Sequence, residues 1–248
     1  MMQGPALAAD FNHPTNVAFD ATGRMYIAAW HNSRIRRVDF TTGLLEEVAG
    51  TGARAYSGDG GPATMAALDL PAGIAFDPDG NLVVVDQANQ VIRRIDMTTG
   101  TIDRIAGSCV TAAPCMTGET PVACMGSNRT ACTTTDPMGC TLPCAPSFGG
   151  DDGPATSARF AMPAGQSADP SGRIAIDATG VIYFADSRNH RVRRIATDGT
   201  ITTIAGTGMR TGDLSDGIAA TSAALNNPVD VELGADGSIY VADTMNSC

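Results

Sequence analysis

Short apolar runs recur along the chain and are separated by segments rich in Gly, Asn, Asp and Pro. Residues 57–107 contain the clearest set, with apolar runs at 73–76, 82–85, 91–95 and 102–106. Runs of this length, rich in β-branched and aliphatic residues and bounded by turn-forming residues, are typical of strands joined by tight turns. They are too short and too regularly interrupted for helices. This stretch therefore predicts a four-stranded antiparallel meander.

The same pattern returns along the chain with a fixed spacing. Four glycines hold one place in successive copies, 57, 100 and 57 residues apart: Gly23, Gly80, Gly180 and Gly237. Asp86, Asp186 and Asp243 keep the last two of these intervals. The repeat length is therefore 57 residues, and the longer interval contains an insertion. A four-stranded sheet that repeats in this way is typical of the blade of a β-propeller, in which neighbouring blades bury each other's faces.

We therefore predict an all-β propeller with about three and a half four-stranded blades, out of six in the complete ring. Residues 1–107 would hold a partial lead-in and two blades, 108–148 an insert, and 149–248 a third blade and a truncated fourth. Both ends of the chain fall inside a repeat. We expect the rest of the ring to lie in further sequence, and closure by two chains is the alternative.

A small tandem duplication interrupts the third blade. Residues 164–172 echo residues 72–80, and residues 173–180 follow as a second version. Only one version can form the inner strand. Residues 173–177 are the more apolar, so we predict the strand there and a loop at 164–171.

The sequence YFADSRNHRV at 183–192 resembles the NHL repeat. The spaced lead-in GDGGPAT at 58–64 resembles the variety found in bacterial secreted proteins and in the NHL domain of teneurins. The resemblance implies a TolB-like propeller and covers nearly all of the chain outside the insert. NHL-type propellers serve as protein-binding, RNA-binding, sensor and enzyme scaffolds, so the fold alone does not select a function.

The charge balance disfavours a nucleic-acid partner. The net charge is −10 with a pI near 4.6, and all 16 basic residues are Arg. Six of them repeat on the predicted third strand, in the pairs 36–37, 93–94 and 193–194, which we interpret as a solvated, ion-paired row. No apolar run reaches about 18 residues, so we predict no membrane insertion.

An Asp followed three residues later by an Asn marks the turn after the second strand in three copies. The six residues are Asp86, Asn89, Asp186, Asn189, Asp243 and Asn246. Such side chains accept hydrogen bonds from nearby backbone N–H groups, so a structural corner is the favoured interpretation. The alternative is a ring of oxygen ligands for Ca²⁺ around the channel. We assign no metal ligand and expect no cofactor.

Six cysteines lie within the insert: Cys109, Cys115, Cys124, Cys132, Cys140 and Cys144. The segment has almost no core-forming residues, no His and no CxxC pair, which favours three disulfides over a zinc site. Disulfides would place the protein in an oxidising compartment, extracellular, at the cell surface or periplasmic. The insert replaces a linker between blades, so we expect it on the face that carries the Asp-x-x-Asn corners.

No catalytic set is visible. His13, His31 and His190 do not occupy equivalent positions, and no GxSxG nucleophile motif is present. We predict a non-catalytic extracellular or cell-surface propeller that binds a protein or carbohydrate ligand. A Ca²⁺-dependent enzyme similar to propeller lactonases or lyases is the alternative, and a structural spacer module is a further one.

Overall fold

The computed structural model describes residues 4–108, 146–165, 167–212 and 215–246. Within these residues all regular structure is β-strand and short 3₁₀ turn, so the predicted all-β class is confirmed. The strands form three antiparallel five-stranded sheets and one two-stranded sheet, which we call blades 1 to 4. In this part of the chain no helix is long and apolar enough to cross a membrane.

The strands follow the predicted runs closely. Blade 1 contains β1 (Gly4–Pro5), β2 (Pro14–Phe19), β3 (Met25–Ala29), β4 (Arg34–Asp39) and β5 (Leu44–Ala49). Blade 2 contains β6 (Gly61–Pro62), β7 (Pro71–Phe76), β8 (Leu82–Asp86), β9 (Val91–Ile95) and β10 (Thr101–Ala106). Blade 3 contains β11 (Gly153–Pro154), β12 (Ile174–Ile176), β13 (Ile182–Asp186), β14 (Arg191–Ile195) and β15 (Thr200–Ala205). Blade 4 contains β16 (Pro228–Leu233) and β17 (Ile239–Asp243).

Each complete blade has five strands, so the prediction of four was wrong. The additional strand is a Gly-Pro dipeptide from the lead-in, and it pairs with the outermost strand of its own blade. In blade 2, Gly61 faces Ile102 and Pro62 faces Thr101. Pro lacks an N–H donor and is tolerated at the edge of a sheet. The lead-in therefore does more than link blades, because it also closes the outer edge.

Successive blades pack face to face through apolar side chains. One core lies between blades 1 and 2 and includes Tyr26, Leu68 and Val84. A second lies between blades 2 and 3 and includes Phe160 and Phe184, whose ring centroids are 4.8 Å apart. The alternating side chains of each strand thus serve two interfaces, as expected for blades that bury each other's faces.

The arginine row is ion-paired but only partly solvated, so that prediction needs correction. Arg93 and Arg193 are wholly buried, whereas the side chain of Arg94 is 42% exposed and pairs with Asp77 at 2.5 Å. Adjacent residues of a strand face opposite sides. In blades 2 and 3 the first arginine of each pair therefore points into the protein.

The inner strand of blade 3 is β12, within the predicted range 173–177 and shorter than it, and the described residues of 164–171 contain no strand. The extra loop is held by Gln87 of blade 2. Its Nε2 donates to the carbonyls of Pro163 and Asp169, at 2.7 and 3.0 Å, and its Oε1 accepts from the amide of Ser171 at 3.0 Å.

Arg173 connects blades that are not neighbours. Its Nη2 donates to the carbonyl of Thr15 in blade 1 at 2.7 Å, and its Nη1 lies 3.4 Å from Asp230 Oδ2 in blade 4. Arg173 therefore ties the inner strands of blades 1 and 4 to the start of the inner strand of blade 3.

The six cysteines lie outside the described residues, so their disulfides stay predicted, as do the domain boundaries and the count of six blades.

Candidate binding face

The turns from the second to the third full-length strand of each blade, and the linkers between blades, share one face of the molecule. We call it the corner face. In blade 2 the chain leaves β8 at Asp86, makes a 3₁₀ turn over Gln87–Asn89, and enters β9 after Gln90 in the left-handed conformation. Blade 3 repeats this with His190 in the left-handed position, and blade 1 with Ser33.

The blade 2 corner is fastened by a buried carboxylate. Asp86 Oδ1 accepts from the amide of Asp69 at 2.8 Å, and Oδ2 accepts from Asn89 Nδ2 at 2.9 Å. Asn89 Nδ2 also donates to the carbonyl of Ala55 at 2.9 Å. The pair thus joins the corner to the lead-in that arrives from blade 1.

The predicted pairs in blades 3 and 4 have the same geometry. Asp186 accepts from the Ala161 amide at 2.8 Å and from Asn189 at 2.9 Å. Asp243 accepts from the Asn226 amide at 2.7 Å and from Asn246 at 2.6 Å. Each pair bonds within its own corner and lead-in. Across the described part of the chain, no group of three or more His, Cys, Asp or Glu could hold a metal ion.

Two buried arginines complete these corners. Arg93 Nη1 lies 3.5 Å from Asp86 Oδ2, and Arg93 Nη2 lies 2.7 Å from Asp59 Oδ1. Arg193 makes the equivalent contacts with Asp186 at 3.1 Å and Asp151 at 2.8 Å. Both guanidinium groups also donate to lead-in carbonyls.

Burial dominates the titration of the corner carboxylates. It raises the pKa of Asp86 to about 7 and the pKa of Asp186 to about 6. The arginine and the N–H donors around each carboxylate act in the opposite direction and moderate the rise.

The blade 1 corner departs from this pattern. Ala29 stands where the other blades have Asp, and Asn32 Oδ1 takes over the carboxylate's role by accepting from the Asn12 amide at 2.8 Å. Arg36, the counterpart of Arg93, pairs instead with Glu47 at 3.2 Å. The backbone shape is therefore kept with different side chains.

An aromatic and imidazole cluster occupies this altered corner. The ring of His31 stacks on Trp30, with centroids 4.2 Å apart. His31 Nδ1 lies 3.0 Å from His13 Nδ1, which lies 2.7 Å from Asn12 Oδ1. The sequence alone did not predict that His13 and His31 would meet. The sequence feature that could have indicated the pair is the break in the repeat at Ala29. The two histidines themselves are 18 residues apart in the sequence.

The left-handed corner residue also reaches the next blade. Gln90 Oε1 accepts from the Met162 amide at 2.7 Å, and Gln90 Nε2 donates to the Met162 carbonyl at 3.0 Å. His190 Nδ1 accepts from the Asn227 amide at 3.0 Å. Burial, followed by the charge of Arg210, lowers the pKa of His190, which keeps the ring neutral for this role.

Both ends of the cysteine-rich segment are fixed on the corner face. The Ser108 amide donates to the Ala158 carbonyl at 2.6 Å, and the Ser147 amide donates to the Phe160 carbonyl at 2.8 Å. Asn189 of the blade 3 corner donates to the Ser147 carbonyl at 2.9 Å. The segment therefore leaves and re-enters the fold at neighbouring points.

A polar groove of about 300 Å³ opens beside the Ser108 stem. Its lining residues carry hydrogen-bonding side chains throughout: Tyr56, Arg104, Ser108, Thr156, Ser157 and Arg159. Arg104 donates to the Thr156 carbonyl at 2.8 Å, while Arg159 is exposed. Two guanidinium groups beside hydroxyls suit a polar or acidic ligand group.

No family model matches the chain. Mouse teneurin-3 is 26% identical over 300 aligned positions, covering 96% of this chain and 11% of teneurin-3. An auxiliary nutrient binding protein from Bacteroides ovatus has a TM-score of 0.57 at 18% identity, covering 96% of this chain and 47% of that structure. A gluconolactonase from Xanthomonas campestris has a TM-score of 0.53 at 14% identity, covering 95% of this chain and 56% of that structure.

The chain thus spans about a tenth of mouse teneurin-3 and about half of each of these solved structures. The structural likenesses establish the propeller-type fold, and the teneurin similarity extends along nearly the whole chain. Together with the repeated corners, they make the chain similar to NHL-repeat β-propellers.

Proposed function

We propose that the chain is a non-catalytic binding propeller of the extracellular space or cell surface, whose corner face holds a protein or carbohydrate ligand. The observation that carries the proposal is the polar groove beside the stem of the cysteine-rich segment. The segment would act as the specificity element, because both of its ends are fixed next to that groove.

The regular corners support a binding role over a catalytic one. Their carboxylates are buried and already bonded within each blade, so they serve to hold the face rigid. A rigid face with variable attached segments is the common design of binding scaffolds. The Bacteroides neighbour described as nutrient binding has the same type of fold, which supports ligand binding as an expectation.

Removal of the cysteine-rich segment tests the proposal. The stems bond to Ala158 and Phe160, only two residues apart, so a short Gly-Ser linker in place of residues 109–145 spans them without strain. We expect intact folding by circular dichroism and loss of binding on an array of neutral and acidic oligosaccharides and in a screen of secreted protein fragments. Folded protein that binds nothing even with the segment present would favour the spacer alternative.

A point variant tests the contribution of the groove to ligand binding while the cysteine-rich segment stays in place. Arg159→Ala removes an exposed guanidinium from the groove, and we expect ligand affinity to fall about tenfold, as for loss of one charge-assisted hydrogen bond. Arg188→Ala is the matched control, because Arg188 is exposed at the blade 3 corner and does not line the groove. Equal losses in both variants would contradict a specific role for the groove.

The Ca²⁺-dependent enzyme alternative makes a different prediction. It requires Ca²⁺ both to stabilise the fold and to support hydrolysis of a lactone such as gluconolactone. If added Ca²⁺ changes neither the melting temperature nor lactone hydrolysis, that alternative should be dropped.

A further inference from the structure

We propose that His13 and His31, with Asn12, form a binding site for a divalent transition-metal ion with right-angled ligand geometry, of the Cu²⁺ type. The site goes beyond the proposed ligand-binding function and does not depend on it. It lies at the blade 1 corner, away from the groove between blades 2 and 3.

The spacing of the donor atoms carries the proposal. The two Nδ1 atoms are 3.0 Å apart, and Asn12 Oδ1 is 2.7 Å from His13 Nδ1. Both contacts are hydrogen bonds here, and their protons are released to solvent when an ion binds. Two ligands at right angles, each about 2.1 Å from a metal ion, are about 3.0 Å apart, whereas tetrahedral ligands are about 3.4 Å apart. The observed distances between donor atoms fit the tetragonal arrangement that Cu²⁺ and Ni²⁺ prefer. Cu²⁺ binds nitrogen ligands more tightly than Ni²⁺.

The two rings are held in place before any metal binds. His31 stacks on Trp30 with an angle of 21° between the rings, and Trp30 is itself buried against Leu70, Ala72 and Ala88. The His31 amide donates to the Asn12 carbonyl at 3.2 Å, which ties the two segments together. A preorganised donor pair loses little conformational entropy on binding an ion.

The backbone that positions His13 is a feature of the repeat. His13, Leu70 and Asn227 are each in the left-handed conformation just before an inner strand, with φ of 53°, 57° and 56°. The counterparts of His31 are Ala88, Arg188 and Met245. The other corners therefore share the geometry without the imidazoles, and only the first blade places two ring nitrogens together.

The sole tryptophan of the chain gives a direct readout. Trp30 contacts His31, and Cu²⁺ bound to that ring quenches the fluorescence of an adjacent indole. The protein is alkylated with iodoacetamide first, because free thiols would reduce or capture the ion. We expect quenching by CuSO₄ that saturates at one equivalent and an electron paramagnetic resonance spectrum with two nitrogen ligands.

Histidine variants distinguish this site from adventitious binding. His13→Ala keeps the stacked Trp30–His31 pair and should weaken Cu²⁺ binding at least tenfold, with loss of one nitrogen from the spectrum. His190→Gln is the control, because His190 bonds to the next blade as Gln90 does, and it should bind Cu²⁺ as the parent protein does. Absence of quenching in the parent protein, or unchanged binding when both His13 and His31 are replaced by Ala, would overturn the proposal.

Discussion

Ser33 and Gln90 occupy the same left-handed corner position in successive blades, with φ of 51° and 57°, but only Gln90 bonds to the blade that follows. Ser33 is buried, and its Oγ has no hydrogen-bond partner among the described residues. The hydroxyl is too short to reach the neighbouring lead-in. The junction between blades 1 and 2 therefore lacks a connection that the next two junctions possess.

Lengthening this side chain should strengthen the first junction. We expect Ser33→Gln to raise the free energy of unfolding by about 1 kcal/mol, the usual net value of a buried hydrogen bond. Urea unfolding followed by circular dichroism measures the change. Ser33→Ala is the control and should be nearly neutral, since it removes a hydroxyl that has no partner. A Gln variant no more stable than the Ala variant would contradict the interblade bond.

Neighbouring arginines on one strand should differ sharply in their effect on stability. Arg93→Met leaves the carboxylate of Asp86 buried without its cation and should cost about 3 kcal/mol or more. Arg94→Met removes a partly exposed partner of Asp77 and should cost less than about 1 kcal/mol. Thermal or urea unfolding of the two variants provides the comparison, and equal losses would show that burial of Arg93 does not matter.

The loop of the duplicated segment should depend on Gln87. Gln87→Ala removes three hydrogen bonds to that loop and should cost about 2–3 kcal/mol. Hydrogen exchange in residues 167–173 should become faster than in the parent protein. Thr98→Ala changes an exposed side chain in a distant turn and should leave this exchange unchanged. Unaltered exchange in the Gln87 variant would mean that the loop is ordered without the hydrogen bonds of Gln87.

Stability should pass through a maximum in mildly acidic solution. The pKa values of Asp86 and Asp186 are raised by burial to about 7 and about 6, above the value near 4 of an unfolded chain. The folded state therefore binds more protons between these values, and its stability falls as the pH rises from about 4 to about 7.

Carboxylates in the exposed turns should make stability fall on the acidic side of this maximum. Backbone hydrogen bonds from Thr41 and Thr42 lower the pKa of Asp39, and those from Thr99 and Thr98 lower the pKa of Asp96. Their contribution is lost as the pH falls below about 4. Urea unfolding from pH 3 to pH 8 tests both limbs. A continuous rise in stability from pH 4 to pH 8 would contradict the proposed titration of the buried pair.

The strands and corners could be predicted because their causes are local. Apolar runs and turn residues set β3, β8 and β13, and the 57-residue spacing aligns Asp186 with Asp243 in the sequence alone. The two-residue outer strands were missed, because Gly61 and Pro62 show no periodicity and pair with residues some 40 positions away.

The burial of arginine side chains was also not predicted, for a different reason. A pattern of polar and apolar positions treats every Arg as exposed, whereas Arg93 is buried by Asp59 and Asp86 from separate parts of the repeat. The histidine pair was missed for a similar reason, because His13 and His31 meet only after β2 and β3 have paired. Contacts between distant segments carry these features, and a single sequence does not display them.

The reach of Arg173 from blade 3 to the carbonyl of Thr15 bears on how the molecule comes apart. In a repeat array whose units touch only their neighbours, an end unit can melt while the rest stays folded. A bond that skips one blade changes this, since blade 1 cannot detach without releasing a side chain of blade 3. Unfolding of blade 1 should therefore also destabilise blade 3, and the blades should unfold together rather than one at a time from the end.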